Sequence, residues 1–471
     1  MLKRLSSNAS ANVFSGAVVM ISQLGITAMA VATWHGVDFA VWGLAMSVAA
    51  IAPIFSANLS SVLTRRLVEA HHRESGRAMY AIILSGRRIS RSLAIISFVT
   101  LFCAGAWIQA HSAPGPLTTS EFLTLLTILL CANGWVLLWQ VRFGQCYAGE
   151  RNWWPAITLA CSRGGGILGM FIALYLGSQN PITVALGLLL GTCMGLAIGQ
   201  LLLPSYWIGG ATELPTTLEV RDQFWRNIRV LYGFAFGAVS SLITQYSIPP
   251  LIAFIEPQRF NTFYLASVLN AVVVGVISAA MSVLLVQFTR WHAFGTMLGV
   301  GRIALFSPAL CAGASLSVLC VCWFGLQFMP DNFFIVRSID FNDIRLFLAL
   351  LGLQTIVRTS ASGFAIYVYA AGSSRQMIAP LAIEMLLVLM IAVPLGWLFG
   401  VNALILGLMF AALVGSQFSA KAFTSLCKPA QISDRTASVS LLTAQLVGSV
   451  LWWCIVGHNS YAVEWPHFVF K

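Results

Sequence analysis

Charge is scarce in this chain. Of its 471 residues only 9% are Asp, Glu, Lys or Arg, against about 25% in soluble domains. A soluble protein of this length could not clothe its surface with so few charges. That excludes a cytosolic enzyme, a nucleic-acid-binding domain and a disordered regulator. A Walker A signature is also missing, because Gly164-Gly165-Gly166 leads into no Gly-Lys-Ser/Thr, so ATP does not drive the protein directly. The ten cysteines are scattered with no Cys-x-x-Cys spacing, which removes a thiolate metal centre. The longest outer loop, about 327–343, holds Asp331, Asp340 and Asp343 but no paired acid/base constellation.

Apolar residues are what the chain has. They make up 58% of it, and the mean hydropathy is +0.85. A hydrocarbon core about 30 Å thick needs about 20 apolar residues per helix. Thirteen stretches qualify: 13–34, 39–60, 92–110, 122–141, 155–176, 182–203, 231–254, 261–286, 303–326, 344–370, 378–399, 401–420 and 436–457. Short alternating strands are absent, so a transmembrane barrel is excluded. The fold class is an all-α polytopic membrane protein with about 13 (12–14) helices. The first span lacks a small-residue cleavage site and reads as a retained helix.

With the N-terminus in the cytoplasm, 20 Lys and Arg fall on the inner side. Arg259, Arg337, Arg345 and Lys471 fall on the outer side. This bias sets the orientation by the positive-inside rule and accounts for the net charge of +11 without a nucleic-acid partner.

Shifting the sequence by 221 residues lays spans one to six on spans seven to twelve. Gly16-Ala17-Val18 then meets Gly237-Ala238-Val239, Leu44-Ala45 meets Leu265-Ala266, and Ser61-Val62-Leu63 meets Ser282-Val283-Leu284. At an offset of 220, the stripe Gly187, Gly191, Gly195, Gly199 meets Gly407, Ala411, Gly415, Ser419. Such stripes let helices approach closely. Two parallel six-helix lobes with a central cavity are therefore expected, the plan of an alternating-access carrier. The expected divisions are a cytoplasmic N-terminus 1–12, an N-lobe 13–203, a cytoplasmic linker 204–230 and a C-lobe 231–420. The final piece, 421–471, holds an inner loop, an additional helix and an aromatic tail (Tyr461, Trp465, Phe468, Phe470).

Gly36-Val37-Asp38-Phe39-Ala40-Val41-Trp42-Gly43-Leu44, Leu59-Ser60-Ser61-Val62-Leu63-Thr64-Arg65-Arg66, Phe263-Tyr264-Leu265-Ala266 and Tyr147-Ala148-Gly149-Glu150-Arg151 carry a resemblance. Over roughly residues 8–430 the chain resembles the polysaccharide, or O-antigen, flippases of the multidrug/oligosaccharidyl-lipid/polysaccharide exporter superfamily. The resemblance implies two six-helix lobes and a polyprenyl-pyrophosphate-linked oligosaccharide as substrate. It also implies a bacterial inner (plasma) membrane location. Membrane lipids and glycan polymerase or export machinery are the further partners it suggests. Coupling to a proton or sodium gradient is expected in place of a bound cofactor. Thirteen spans depart from the family's twelve or fourteen.

Ionisable groups inside hydrocarbon are costly and usually functional. Arg163, Arg358 and Glu384 are the three here. Arg163 and Glu384 differ by the repeat offset, so they are expected at equivalent depths facing a common cavity; local hydrogen bonds are the competing account. Arg358 can grip pyrophosphate oxygens bidentately, or pair with Glu384. Gly164-Gly165-Gly166 can bend the fifth span toward a lumen, or serve close helix packing. Gln23, Asn58, Gln245 and Asn270 can bind sugar hydroxyls, or hydrogen-bond between helices. Arg65, Arg66, Arg87, Arg88 and Arg91 form an expected basic inner mouth. It draws in a lipid pyrophosphate, or serves only topology and anionic headgroups.

Two in-span arginines against one glutamate favour a lipid-linked oligosaccharide flippase. A cation-coupled multidrug exporter of the same superfamily is the alternative; it needs carboxylates in the lumen, and the first lobe's spans have none. A membrane glycan polymerase or ligase comes third, for want of catalytic groups.

Overall fold

The computed structural model describes residues 2–34, 36–73, 76–111, 117–149, 151–202, 214–293, 301, 303–327, 340–371, 373–427 and 432–458. Twelve helices among these are long and apolar enough to cross a membrane. Among the described residues there is no strand.

The second expected span departs from the pattern. It is two helices, α2 (Gly36–Ala49) and α3 (Ile54–Arg73), joined by a turn. Pro53 sits at the break. It has no N–H to give and disfavours helical geometry at Ala52 before it. The third is longer than expected: α4 runs Gly76–His111, with Arg87, Arg88 and Arg91 inside the helix rather than ahead of it.

The chain divides into two compact units, residues Met1–Leu242 and Ile243–Lys471. The first contains α1 (Leu2–Thr33), α2 to α4, α5 (Thr119–Ala148), α6 (Trp153–Tyr175), α7 (Pro181–Leu202) and α8 (Thr217–Ser241). Helix α5 is its hub, packed against α2, α3, α4 and α7. A capping box of Thr118 and Glu121 starts it, each side chain answering the other's backbone N–H. The expected linker is partly helical, because α8 begins at Thr217 and packs on α3 and α4.

The second unit contains α9 (Ile248–Ile255), α10 (Phe260–Ala293), α11 (Ser307–Gln327), α12 (Phe341–Ala370), α13 (Ile378–Leu387), α14 (Val393–Phe399), α15 (Val401–Leu426) and α16 (Asp434–His458). Helix α12, the repeat counterpart of α5, is again the hub. It packs on α10, α11, α15 and α16, and Asp340 caps its start by accepting from the amides of Asn342 and Asp343. The additional helix α16 is part of this core. Trp452 is fully buried over Gly352 and donates to the Ala349 carbonyl at 2.9 Å.

Two π-helical turns interrupt the seventh and eleventh spans: Leu242–Tyr246, where the first unit gives way to the second, and Val388–Ala392 in the second. Each lies just ahead of proline: Pro249-Pro250 and Pro394. A proline cannot bond the carbonyl four residues back, and widening the preceding turn accommodates the loss. The repeat counterparts, 21–25 and 167–171, are ordinary α-helix.

Large apolar side chains cover the outside of several helices. Leu190, Met194, Ile198 and Leu201 line one face of α7, each more than half exposed. That is the face lipid would cover.

Candidate functional site

Helices α6 and α7 are joined backbone to backbone. A Cβ added at Gly165 or Gly169 would fall on the carbonyl of Gly191 or Gly187, and one at Gly195 on that of Cys161. Glycine is needed here for close approach, and α6 is continuous helix through Gly164-Gly165-Gly166. The repeat does the same at the eleventh and twelfth spans. A Cβ at Gly407 would lie 2.6 Å from Ala392 Cα, and one at Gly415 would lie 2.9 Å from Glu384 Cβ.

This packing fixes the depth and direction of the in-span charges. Arg163 on α6 turns to the hub helix of its own unit and donates from Nη1 to Asn133 Oδ1 at 3.0 Å. Asn133 is 5% exposed and spends its amide on the Leu129 carbonyl. Arg163 Nε is buried with no hydrogen-bond partner. No described carboxylate pairs with this arginine.

Glu384 on α13 also turns to its hub. It lies 3.4 Å from Arg358 Nε on α12, with side chains 11% and 15% exposed. Arg358 Nη1 is buried and unpartnered, and the guanidinium lies within electrostatic reach of Tyr246 in the first π turn. Of the two accounts the sequence left for Arg358, the ion pair with Glu384 is the geometry present. Arg163 and Glu384 are thus each engaged inside their own unit.

The two hubs match more closely than the sequence reading noticed. Asn133 and Gln354 differ by 221 and are both 5% exposed. The shift that relates Arg163 to Glu384 also flags Asn133, a signal that was available. Beyond that the interiors diverge. Around α12, Thr355 donates to Asn270 Oδ1 at 2.9 Å, and Thr359 shares a 2.6 Å hydrogen bond with Ser315. Gln445 donates to Ser416 and to the Val357 carbonyl. The counterparts of Asn270, Thr355, Thr359 and Ser315 are Ala49, Gly134, Leu138 and Ala94. Asn270 is therefore a helix-to-helix acceptor. Gln23 and Gln245 are half-buried, Gln245 within the first π turn. The side chain of Asn58 and the whole of the aromatic tail lie outside the described residues.

The basic residues of the expected inner mouth and their neighbours fall into two sets. Arg65 is tied to Glu69 at 2.8 Å, Arg66 to Gln223 at 2.6 Å, and Arg77 to Glu219 at 3.0 Å. Glu219 is held below the usual carboxylate range, first by the Thr216 backbone amide and then, against a small cost of burial, by Arg77 and the Thr216 hydroxyl. One turn further on, Asn227 donates to Ser85 at 2.7 Å in a fully buried contact. Glu219, Gln223 and Asn227 are four apart, so one face of α8 fastens it to α3 and α4. Arg87, Arg88 and Arg91 are exposed and pair with no described acid.

No protein-family model and no curated protein matches the sequence. Solved structures do match. A eukaryotic MATE transporter, AtDTX14, superposes with a TM-score of 0.68 at 13% identity, over 95% of this chain and 98% of its own. A transporter of the MOP superfamily from Pyrococcus furiosus, described as having a binding pocket of reverse polarity, gives 0.65 at 13% identity over 95% and 96%. An outward-facing multidrug resistance MATE family transporter of the same superfamily gives 0.63 at 13% identity over 96% and 96%. Nearly whole chains align at an identity too low to speak for activity, and the fold of this chain is the MATE transporter fold.

Proposed function

We propose that this chain is an alternating-access exporter of the MOP superfamily, that it moves amphiphilic solutes as multidrug exporters do, and that an ion gradient drives it. It sits in a plasma membrane with its N-terminus in the cytoplasm. The observation that carries this reading is the match, over nearly the whole of both chains, to transporters named for multidrug resistance. Glu384, a carboxylate 8% exposed within a span, supplies the ionisable group that cation coupling requires. Its neighbour Arg358 competes with any cation for it, so binding a proton or sodium would exchange one partner for another.

A second reading, the lipid-linked oligosaccharide flippase, is favoured by Arg163. That arginine is a cation within a span of the first unit, with no described carboxylate beside it. The reverse pocket polarity described for the Pyrococcus furiosus neighbour, said there to suggest a different function, supports keeping a second reading for this fold.

Reconstituted vesicles separate the two. Efflux of a cationic dye down an imposed proton or sodium gradient, lost in Glu384→Gln, is the expected result. Reorientation of a polyprenyl-pyrophosphate sugar without dye movement would overturn the exporter reading in favour of the flippase. Neither movement would overturn both.

A further inference from the structure

Helix α4 carries a long exposed stripe that joins three arginines to an apolar face. Its buried side, with Gly86 against Leu63, Ser90 donating to the Leu137 carbonyl and Gly105 against Leu126, faces its own unit. The opposite side is exposed at every fourth residue: Arg87, Arg91, Ile95, Val99, Cys103, Trp107 and His111. Arg88, Ile96 and Thr100 lie alongside. Ile95, Ile96, Val99 and Trp107 are all more than half exposed. From Ile95 to Trp107 the apolar stretch rises about 18 Å, most of a hydrocarbon core. Trp107 and His111, stacked at 4.6 Å, end it at the outer side. The three arginines end it at the inner side, one turn below Ile95.

Two other arginines of the expected inner side are neutralised locally, Arg65 by Glu69 and Arg77 by Glu219. The α4 arginines have no described acidic partner, and at spacings of three and four they share one face. The repeat counterparts on α11 are Pro308, Ala309 and Ala312. A guanidinium cluster standing directly beneath lipid-facing aliphatic side chains fits an anion attached to acyl chains.

We infer that Arg87, Arg88 and Arg91 form a binding site for the headgroup of an anionic phospholipid of the inner leaflet, whose chains lie along Ile95, Ile96 and Val99. Arg91, nearest the apolar stretch, takes the phosphate with Arg87 and Arg88 around it. The fork of each guanidinium suits phosphate oxygens. The site stands whatever solute the protein moves.

The test uses the full-length protein released from nanodiscs of mixed phosphatidylglycerol and phosphatidylcholine, with retained lipid counted by native mass spectrometry. Wild type is expected to keep phosphatidylglycerol in preference to phosphatidylcholine. Each arginine near an anionic surface contributes about five-fold, so R87Q/R88Q/R91Q should lose about 100-fold in relative affinity. R87K/R88K/R91K keeps the charge and should keep most of the preference, which separates loss of the site from loss of the fold. R221Q/R226Q/R229Q removes the same charge from exposed positions on α8 and should change little. An equal loss in that control, unchanged retention in R87Q/R88Q/R91Q, or no headgroup preference in wild type would each overturn the assignment.

Discussion

The pairing of Arg358 with Glu384 can be weighed by a double-mutant cycle. At 3.4 Å and an effective dielectric constant of about 20, the attraction is about 5 kcal/mol before desolvation is charged against it. Glu384→Gln leaves a guanidinium in a site where Nη1 already has no partner, and such orphaned buried charges cost about 3–5 kcal/mol. Arg358→Gln leaves the carboxylate packed against Gly415, with a penalty of the same order. The double variant leaves no charge behind, so its cost should stay close to that of one single change. The coupling energy is then about 3 kcal/mol. Unfolding of the purified protein in mixed micelles of increasing denaturing-detergent fraction measures all four corners. Additivity within about 0.5 kcal/mol would show that the two groups do not depend on each other. The exchange of partners proposed for coupling would then lose its basis. The swapped variant, Arg358→Glu with Glu384→Arg, should recover part of the loss in stability.

Gly191→Leu drives a side chain into the Gly165 carbonyl and must part α6 from α7, so detergent-resistant folded protein should fall sharply, while Gly164→Leu, at an open position, should be tolerated; thermal melts monitored by size exclusion decide. Trp452→Ala empties a fully buried site over Gly352 and should cost about 3–5 kcal/mol, a result unexpected of a peripheral helix. Gly400→Ala places a side chain at φ 84°, ψ −173°, a region essentially confined to glycine, and against Glu256, which accepts from the Val401 amide; a loss of about 1–3 kcal/mol from backbone strain alone is expected. Glu219 titrates below its ordinary value when folded, so its support of the first turn of α8 is complete above the unfolded value, near pH 4–5. That support drains away as pH falls through the lower folded value; hydrogen exchange at Thr217–Val220 should rise there in wild type and be pH-independent in Glu219→Gln.

The spans were legible because bilayer thickness sets one length for every helix, and the chain has little else with which to build. The interruptions are not legible in the same way. Hydropathy runs a second span straight through Pro53 and gives no sign of the π turns ahead of Pro249-Pro250 and Pro394. In each case the proline was the available signal, but hydropathy averages over it. The repeat relates Arg163 to Glu384 by offset without telling where either side chain points. That depends on the neighbour each helix is pressed against, and close glycine packing decides it. The partner of Arg163 lies thirty residues away on the hub helix, a relation no periodicity reveals, although the repeat marks Asn133 through Gln354. The glycine triplet allowed two accounts from sequence alone; only the carbonyls of α7 chose between them.

The two halves agree where backbones touch and differ where side chains meet. The small-residue contacts of the fifth and sixth spans recur in the eleventh and twelfth, and hub helices recur with an amide at the same buried place. Around those amides one unit has an arginine bound to Asn133 and hydroxyls that turn to backbone carbonyls, as Ser90 does to Leu137. The other carries an ion pair, a ladder of hydroxyls and amides, and two π turns. A widened helical turn breaks the regular hydrogen-bond ladder, and a buried ion pair next to it holds charges that another cation or a proton can separate. Under the proposed function, rearrangement in response to ions is therefore easiest in the second unit. The first, with regular helices at the corresponding positions and α8 fastened by Glu219, Gln223 and Asn227, would then move as a block. If so, spin-label or fluorescence distances within the first unit should stay fixed when an ion gradient is applied, and distances spanning the π turn at Val388–Ala392 should change. The reverse pattern would show that the polar interior of the second unit is structural and that coupling resides with Arg163.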